Sequence, residues 1–293
     1  MPRALASGRR VRDHVARCVW TLHFIVGVPV SASVLIDSSY DDAATVVAVG
    51  VLAATLAVIC HETLGHGLAC VGIGGHVKLL TSIWFRCSKY APITDAGGPI
   101  GNLVGGSLAI LLLAFIRPRP AATLFLFVFA ALNLFWFTAQ LTFESLTHAH
   151  DDWYWLLQSA PAIWRPVGAL VGIGGYVLTA RCLSAVLRTQ AGPRAHAIRL
   201  AYAAAAASAV ITGLMWGPEP WRSAVEGFST FGINSLALLM VARRADRAVG
   251  QDVVAQSVPR SWPWICFCVV CFAIFLFVQA RGMGPMAASR LSP

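Results

Sequence analysis

The sequence predicts an all-α fold, a polytopic transmembrane helical bundle of about eight spans (six to eight), on three observations. Of 293 residues, 57% are hydrophobic and only 12% are charged, against about 25% charged in an ordinary soluble domain. The apolar residues fall in runs close to the ~20 residues that a bilayer crossing requires. The charges collect between those runs instead of spreading over a surface. A chain with so few charges cannot cover a water-exposed globule, which excludes a soluble enzyme, a nucleic-acid binder and a disulfide scaffold.

The runs place helices near 18–36, 44–72, 96–116, 121–146, 163–187, 199–217, 222–242 and 262–280. The first follows a basic stretch, as a signal peptide would. Acidic residues Asp37, Asp41 and Asp42 come next without a small-residue cleavage site, so it is read as a retained span. Between the second and third runs, residues 73–95 hold short alternating stretches, Val77-Lys78-Leu79-Leu80 and Ser82-Ile83-Trp84-Phe85-Arg86, suited to a short β-hairpin or a re-entrant segment. Proline and glycine mark the turns at Arg117-Pro118-Arg119-Pro120, Gly192-Pro193 and Gly217-Pro218-Glu219-Pro220. The whole chain, 1–293, reads as one integral membrane domain, with a core at 44–160 and additional transmembrane helices over 161–293.

The net charge of +9 comes from arginines between apolar runs, at Arg9-Arg10, Arg117 and Arg119, Arg194 and Arg199, and Arg243-Arg244. These positions suit lipid headgroups and topology control, so a lipid bilayer is the expected partner and nucleic acid is not. A cytoplasmic N-terminus puts its five arginines on the favoured side. Simple alternation then leaves the basic loops 181–199 and 243–260 outside. The eight cysteines lie mostly in apolar runs and read as small hydrophobes. Most of the ten tryptophans lie near span ends, as interfacial anchors do, among them Trp153, Trp155, Trp216, Trp221, Trp262 and Trp264. Asn234, Glu226 and Gln279 read as interhelical polar contacts. The Ala-, Arg- and Gly-rich, Lys-poor composition points to a high-GC bacterium, hence to the cell (inner) membrane.

The candidate chemistry begins at His61-Glu62-Thr63-Leu64-Gly65-His66, read as an HExxH-type element. In such an element two imidazoles at i and i+4 share one helix face and hold a zinc ion, and the glutamate beside the first serves as general base toward water. Here it ends the apolar run 46–60, where ionisable side chains are costly unless they have a role or a partner. A catalytic zinc needs a third protein ligand. The densest supply of donors is the stretch from Phe143 to Trp153, with Glu144, His148, His150, Asp151 and Asp152. Either aspartate is also a natural helix N-cap, and Glu144, a helical turn deeper, is a candidate outer-shell partner. At Gly97, Gly98 and Pro99 the residue types predict a broken helix lining a cavity. Asn102 beyond them is placed to hydrogen-bond substrate or a developing oxyanion. The alternative for the glycines, with Gly105 and Gly106, is close helix packing.

In this order the elements resemble the site-2 protease family of intramembrane zinc metalloproteases. The likeness rests on the His61–His66 element near the end of a membrane helix, on Gly98-Pro99-Ile100-Gly101-Asn102-Leu103 as the family's Gly-Pro-x-x-Asn element, and on an aspartate after the following helix. It covers about residues 44–160. The family's Asp-Gly pair is replaced here by His150-Asp151-Asp152-Trp153. The resemblance implies a membrane-embedded zinc (Zn2+) endopeptidase acting on membrane-protein or peptide substrates. Zinc would be held by His61, His66 and Asp152, with Asp151 as the alternative and His150 or His148 next, and Glu62 would be catalytic. The competing expectation is a non-proteolytic membrane protein of the same fold, a metal transporter or a relative that binds membrane proteins. A transporter should carry ionisable groups on several helices, whereas here they concentrate at two places.

Overall fold

The computed structural model describes residues 40–115, 119–147, 149–189, 193–248 and 257–291. The expected span 18–36 and His148 lie outside these residues. The chain forms α1 (Ala43–Val58), continued by a π-helical segment (Ile59–Gly67) and α2 (Leu68–Gly72). A hairpin of β1 (Val77–Leu80) and β2 (Phe85–Cys87) follows, and then the long helices α3 (Pro92–Phe115) and α4 (Pro120–Thr147). After a short α5 (Tyr154–Ser159) come α6 (Trp164–Thr189), α7 (Ala195–Leu214), α8 (Pro220–Phe228), a second π segment (Ser229–Ile233), α9 (Ala237–Ala248), α10 (Trp262–Phe277) and α11 (Pro285–Leu291).

Six helices, Ala43–Gly72, Pro92–Phe115, Pro120–Thr147, Trp164–Leu187, Ala195–Leu214 and Pro220–Arg244, are long and apolar enough to cross a membrane. The all-α polytopic bundle expected from hydropathy is therefore the fold. The run at 262–280 forms a helix of 16 residues, about 24 Å long and shorter than a ~30 Å hydrocarbon core. Leucines, valines and phenylalanines such as Val104, Leu108, Leu170, Leu178, Val270 and Phe277 point outward from α3, α6 and α10. So large an apolar exterior suits lipid and not water.

The core lies where α1, α4 and α7 meet. Phe127, Phe135, Leu124 and Leu132 of α4 are fully buried against Val46, Val49 and Ala53 of α1 and Ile198 and Ala201 of α7. α1 and α7 approach so closely that a Cβ on Gly50 would overlap the Ala201 carbonyl, a small-residue contact of the kind that packs helices where no water is expelled. The start of α1 is fixed by Asp42, whose Oδ1 accepts from Thr45 N at 2.9 Å and Thr45 Oγ1 at 2.8 Å. Those hydrogen bonds hold the Asp42 carboxyl below its usual range. The Asp41 and Asp42 segment is tied in turn to Val258 ahead of α10.

Two expectations for residues 73–115 meet different outcomes. The hairpin forms, antiparallel, with Leu80 opposite Phe85. The glycine break does not: α3 starts at Pro92 and runs through Gly97, Gly98 and Pro99 without interruption. Pro92 suits a first turn, and Pro99 removes one hydrogen bond without ending the helix. The glycines instead serve contact, as described below. Among the tryptophans, Trp155, Trp221 and Trp262 are exposed, but Trp153 and Trp216 are buried in the packing.

Cys70 and Cys87 form a disulfide, which corrects their assignment as small hydrophobes. It ties α2 to β2. A Cβ on Gly75 would come within 2.5 Å of Cys87 Sγ, so glycine there leaves room for the bridge. The hairpin is held on its other sides by Trp84 Nε1 donating to Ser223 Oγ of α8 at 2.9 Å and by a bridge between Leu80 and Met283. Gln279, in the turn after α10 and not between helices as expected, donates to the Thr81 carbonyl and accepts from Thr63 Oγ1. With a sequence separation of 17 residues, the bridge removes loop entropy from the unfolded chain worth about 3 kcal/mol. Replacing Cys87 with serine, or reducing the parent, is expected to lower unfolding stability by about that amount, measured by denaturation in detergent.

Candidate metal centre

His61 and His66 stand five residues apart, one more than the HExxH spacing, which corrects the expectation of an i, i+4 pair. On a regular α-helix five residues turn the chain about 500°, leaving the two side chains roughly 140° apart around the axis. The segment Ile59–Gly67 is instead π-helical. Its i→i+5 bonding closes a turn on the fifth residue, so both imidazoles emerge on one side. Their Nε2 atoms are 3.2 Å apart, and the rings meet edge to face. Both residues are buried, at 2% and 4% exposure.

The wide turn is pressed onto the glycine face of α3. A Cβ on Gly65 would lie 2.5 Å from the Gly97 carbonyl oxygen, and one on Gly101 would overlap the Cys60 carbonyl. Gly98 lies where a Cβ would overlap the Nε2 atoms of both histidines. The absent side chain at Gly98 is therefore what keeps space in front of the two nitrogens.

Asp152 closes the group from the loop after α4. Its Oδ2 is 2.9 Å from His61 Nε2 and its Oδ1 is 3.3 Å from His66 Nε2. Burial alone would raise its carboxyl, but the adjacent His66 and His61, by charge and hydrogen bonding, hold it well below the usual carboxylate range. One donor atom from each of the three residues lies within 4.8 Å of the others. The aspartates do not cap α5 with their side chains; Glu144 Oε2 accepts from Trp153 N at 2.8 Å instead.

The remaining nitrogens of the histidines are held from behind. His66 Nδ1 lies 2.6 Å from the Thr94 carbonyl. A carbonyl only accepts, so Nδ1 carries a proton and Nε2 is the nitrogen turned toward Asp152. His61 Nδ1 lies 3.0 Å from the Asn102 amide group, whose Oδ1 has no partner among the described residues. The amide oxygen and nitrogen have the same shape. In this orientation the amide N–H donates to His61 Nδ1; with the amide turned over, its oxygen would accept from Nδ1–H and Nε2 would be the nitrogen able to ligate. Trp136 stacks on the His61 ring, with centroids 4.0 Å apart and planes at 9°, and Phe85 of β2 stacks on His66 at 5.2 Å.

This donor set fits a metal ion of the zinc type: two imidazole nitrogens and one carboxylate, with outer groups that orient the rings. A cavity of about 320 Å³ opens beside it, lined by the three donors, Glu62, Arg86, Asp95, Gln140 and Trp155 among others. Glu62 is 3% exposed, and its Oε2 has no hydrogen-bond partner among the described residues.

The candidate residues thus divide. His61, His66 and Asp152 converge, with Glu62 beside them. Asn102, expected to face substrate, is fully buried behind the His61 ring and does not line the cavity. Glu144 acts on the loop backbone and not on a donor side chain. Asp151 is hydrogen-bonded to Gln140, and His150 stacks on Tyr154. Sequence reasoning overlooked Thr94, Phe85, Trp136 and Gln140. For the last two a signal existed, because Trp136, Gln140 and Glu144 recur every fourth residue and so share one face of α4.

No protein-family model matches the chain, and no curated protein and no solved structure matches it.

Gly98→Ala is expected to abolish metal binding, because the methyl group occupies the space in front of both Nε2 atoms, while α3 stays helical, alanine being the better helix former by about 1 kcal/mol. Metal content of the purified variant and its circular dichroism test this. Parental metal content in a folded Gly98→Ala protein would place the ion elsewhere.

Proposed function

We propose that the chain is a membrane-embedded zinc endopeptidase that hydrolyses peptide bonds of membrane-associated proteins. The observation that carries this is the convergence of His61, His66 and Asp152 beside a buried glutamate with a free oxygen, at one cavity. The order of elements resembles the site-2 protease family, with the departure that the histidine spacing is longer by one residue and is taken up by the π segment.

Zinc, when bound, supplies Lewis-acid polarisation of a carbonyl and acidifies water toward neutrality. His61, His66 and Asp152 would hold it, with Thr94 and Asn102 bonded to the Nδ1 atoms and orienting both rings. Glu62 takes a proton from the attacking water on its unpartnered Oε2 and returns it to the departing amine nitrogen as the peptide C–N bond breaks. The stacked Trp136 and Phe85 hold the imidazoles in place, so little reorganisation accompanies the reaction. An extended peptide is accommodated along β2: at Leu80, β1 is covered on both sides, by Phe85 and by Met283. A second cavity, of about 420 Å³, adjoins β2 at Phe85, Arg86 and Cys87. Strand addition there would present backbone to the metal centre. The competing transporter reading expects ionisable groups distributed along a path through the bundle; Glu62, Asp95, Asp152 and Glu226 instead line a single cavity.

The purified protein is expected to carry about one zinc per chain. Glu62→Gln should keep the zinc and lower cleavage of an unstructured reporter peptide by about 10²–10⁴-fold, the share of a general base. Asp152→Ala should lose both zinc and cleavage, while Asp151→Ala keeps both. Undiminished cleavage by Glu62→Gln, or stoichiometric zinc in a variant lacking both His61 and His66, would defeat this assignment.

A further inference from the structure

We propose that Gln140 is a positioning residue that holds Asp152 in place for the metal; the inference rests on the metal reading of His61, His66 and Asp152. Gln140 Nε2 lies 2.8 Å from Asp152 Oδ2 and 3.1 Å from Asp151 Oδ2. An ionised carboxylate only accepts, so the amide must turn its nitrogen toward the pair, and its two hydrogens serve one aspartate each. Asp152 Oδ2 is also the oxygen that meets His61 Nε2. Gln140 thereby fixes the rotation of the Asp152 carboxylate that leaves Oδ1 toward His66.

Neighbouring carboxylates repel, and a bridging amide donor is what keeps the second one from displacing the first. Gln140 is itself well anchored. One turn before it on α4, Trp136 is stacked on His61; one turn after it, Glu144 accepts the Trp153 N–H, the next backbone donor after Asp152. Three successive turns of one helix face thus hold the His61 ring, the aspartate pair and the loop backbone. The side chain is 7% exposed, and its Oε1 has no partner among the described residues. Burying an unpaired acceptor weakens the fold, so stability alone does not account for glutamine here. A leucine would fill the space without that penalty.

Gln140→Leu and the isosteric Gln140→Glu test this in the full-length protein. Zinc affinity is read by chelator competition, the geometry of the ligand set by the visible spectrum of the Co2+-loaded protein, and folding by the melting of metal-free protein. Both variants are expected to fold, with a lower metal-free melting temperature because the aspartate pair loses its shared donor. Zinc affinity should fall about 10–100-fold, the usual effect of removing such an outer partner, and the Co2+ bands should shift. If Gln140→Leu does not fold, Gln140→Glu, which keeps the shape and reverses the donor, carries the same readouts. Parental affinity and an unchanged Co2+ spectrum in a folded variant would overturn the positioning role while leaving the metal reading intact. A parent protein that binds neither Zn2+ nor Co2+ would overturn the metal reading, and this inference with it.

Discussion

The contact on which this architecture depends is the crossing of the π-helical turn Ile59–Gly67 over the glycine face of α3. Gly65, Gly97, Gly98 and Gly101 bring the two backbones to a separation that no Cβ would permit. The placement of the two histidines follows from that distance. It puts the Thr94 carbonyl against His66 and the Asn102 amide against His61, and it leaves the space at Gly98 open before both nitrogens. A π turn is ordinarily a poor choice, since its hydrogen bonds are rarer and less favourable than those of an α-helix. Here it is what brings histidines five residues apart to a single point.

Ionisable groups in an apolar bundle are costly unless paired, and the pairing in this protein is nearly complete around the site. His61 and His66 have contacts on both ring nitrogens. Asp152 has two histidines and Gln140, and Glu144 has the Trp153 backbone. Glu62 and Glu144 each keep one buried oxygen without a partner among the described residues, and of the two Glu62 lines the cavity. A carboxyl kept in that state beside a cavity weakens the fold, which fits the proton-transfer role proposed for Glu62.

How much of this was legible in the sequence depended on the range of the interaction. Hydropathy located the long helices to within a few residues, because span length is set by the bilayer and not by tertiary detail. Alternation located the hairpin. Around the site, residue types pointed to His61, Glu62, His66 and Asp152, but the geometry joining them was not legible. The i, i+5 spacing of His61 and His66 is plain in the sequence and does not match i, i+4, but nothing local to residues 61–66 announces the π turn that joins them; the glycines of α3, some 30 residues on, favour it. Gly97 and Gly98 read locally as helix breakers because glycine is a poor helix former, whereas tertiary contact keeps them helical. The Cys70–Cys87 pair was hidden for a similar reason. Only the hairpin's return over α2 makes those two of eight cysteines neighbours.

The same return explains why the site lies at one end of the bundle and not midway along it. Asp152 comes from the loop after α4, Phe85 from β2, and the donors His61 and His66 from the last turns of their helix. All are brought to the end where the hairpin is fastened by the disulfide, by Ser223 of α8 and by Met283. A helix supplies no free backbone for recognition, since its N–H and C=O groups bond internally. A short strand beside the donors is the element that has such groups to offer. Two of the three candidate donors sit on a helix, the third on a loop held by Gln140, and the adjoining wall is a strand whose edge could take up an extended chain. That is the combination the proposed proteolysis would call on, because a helical segment must unwind before its peptide bonds can be reached.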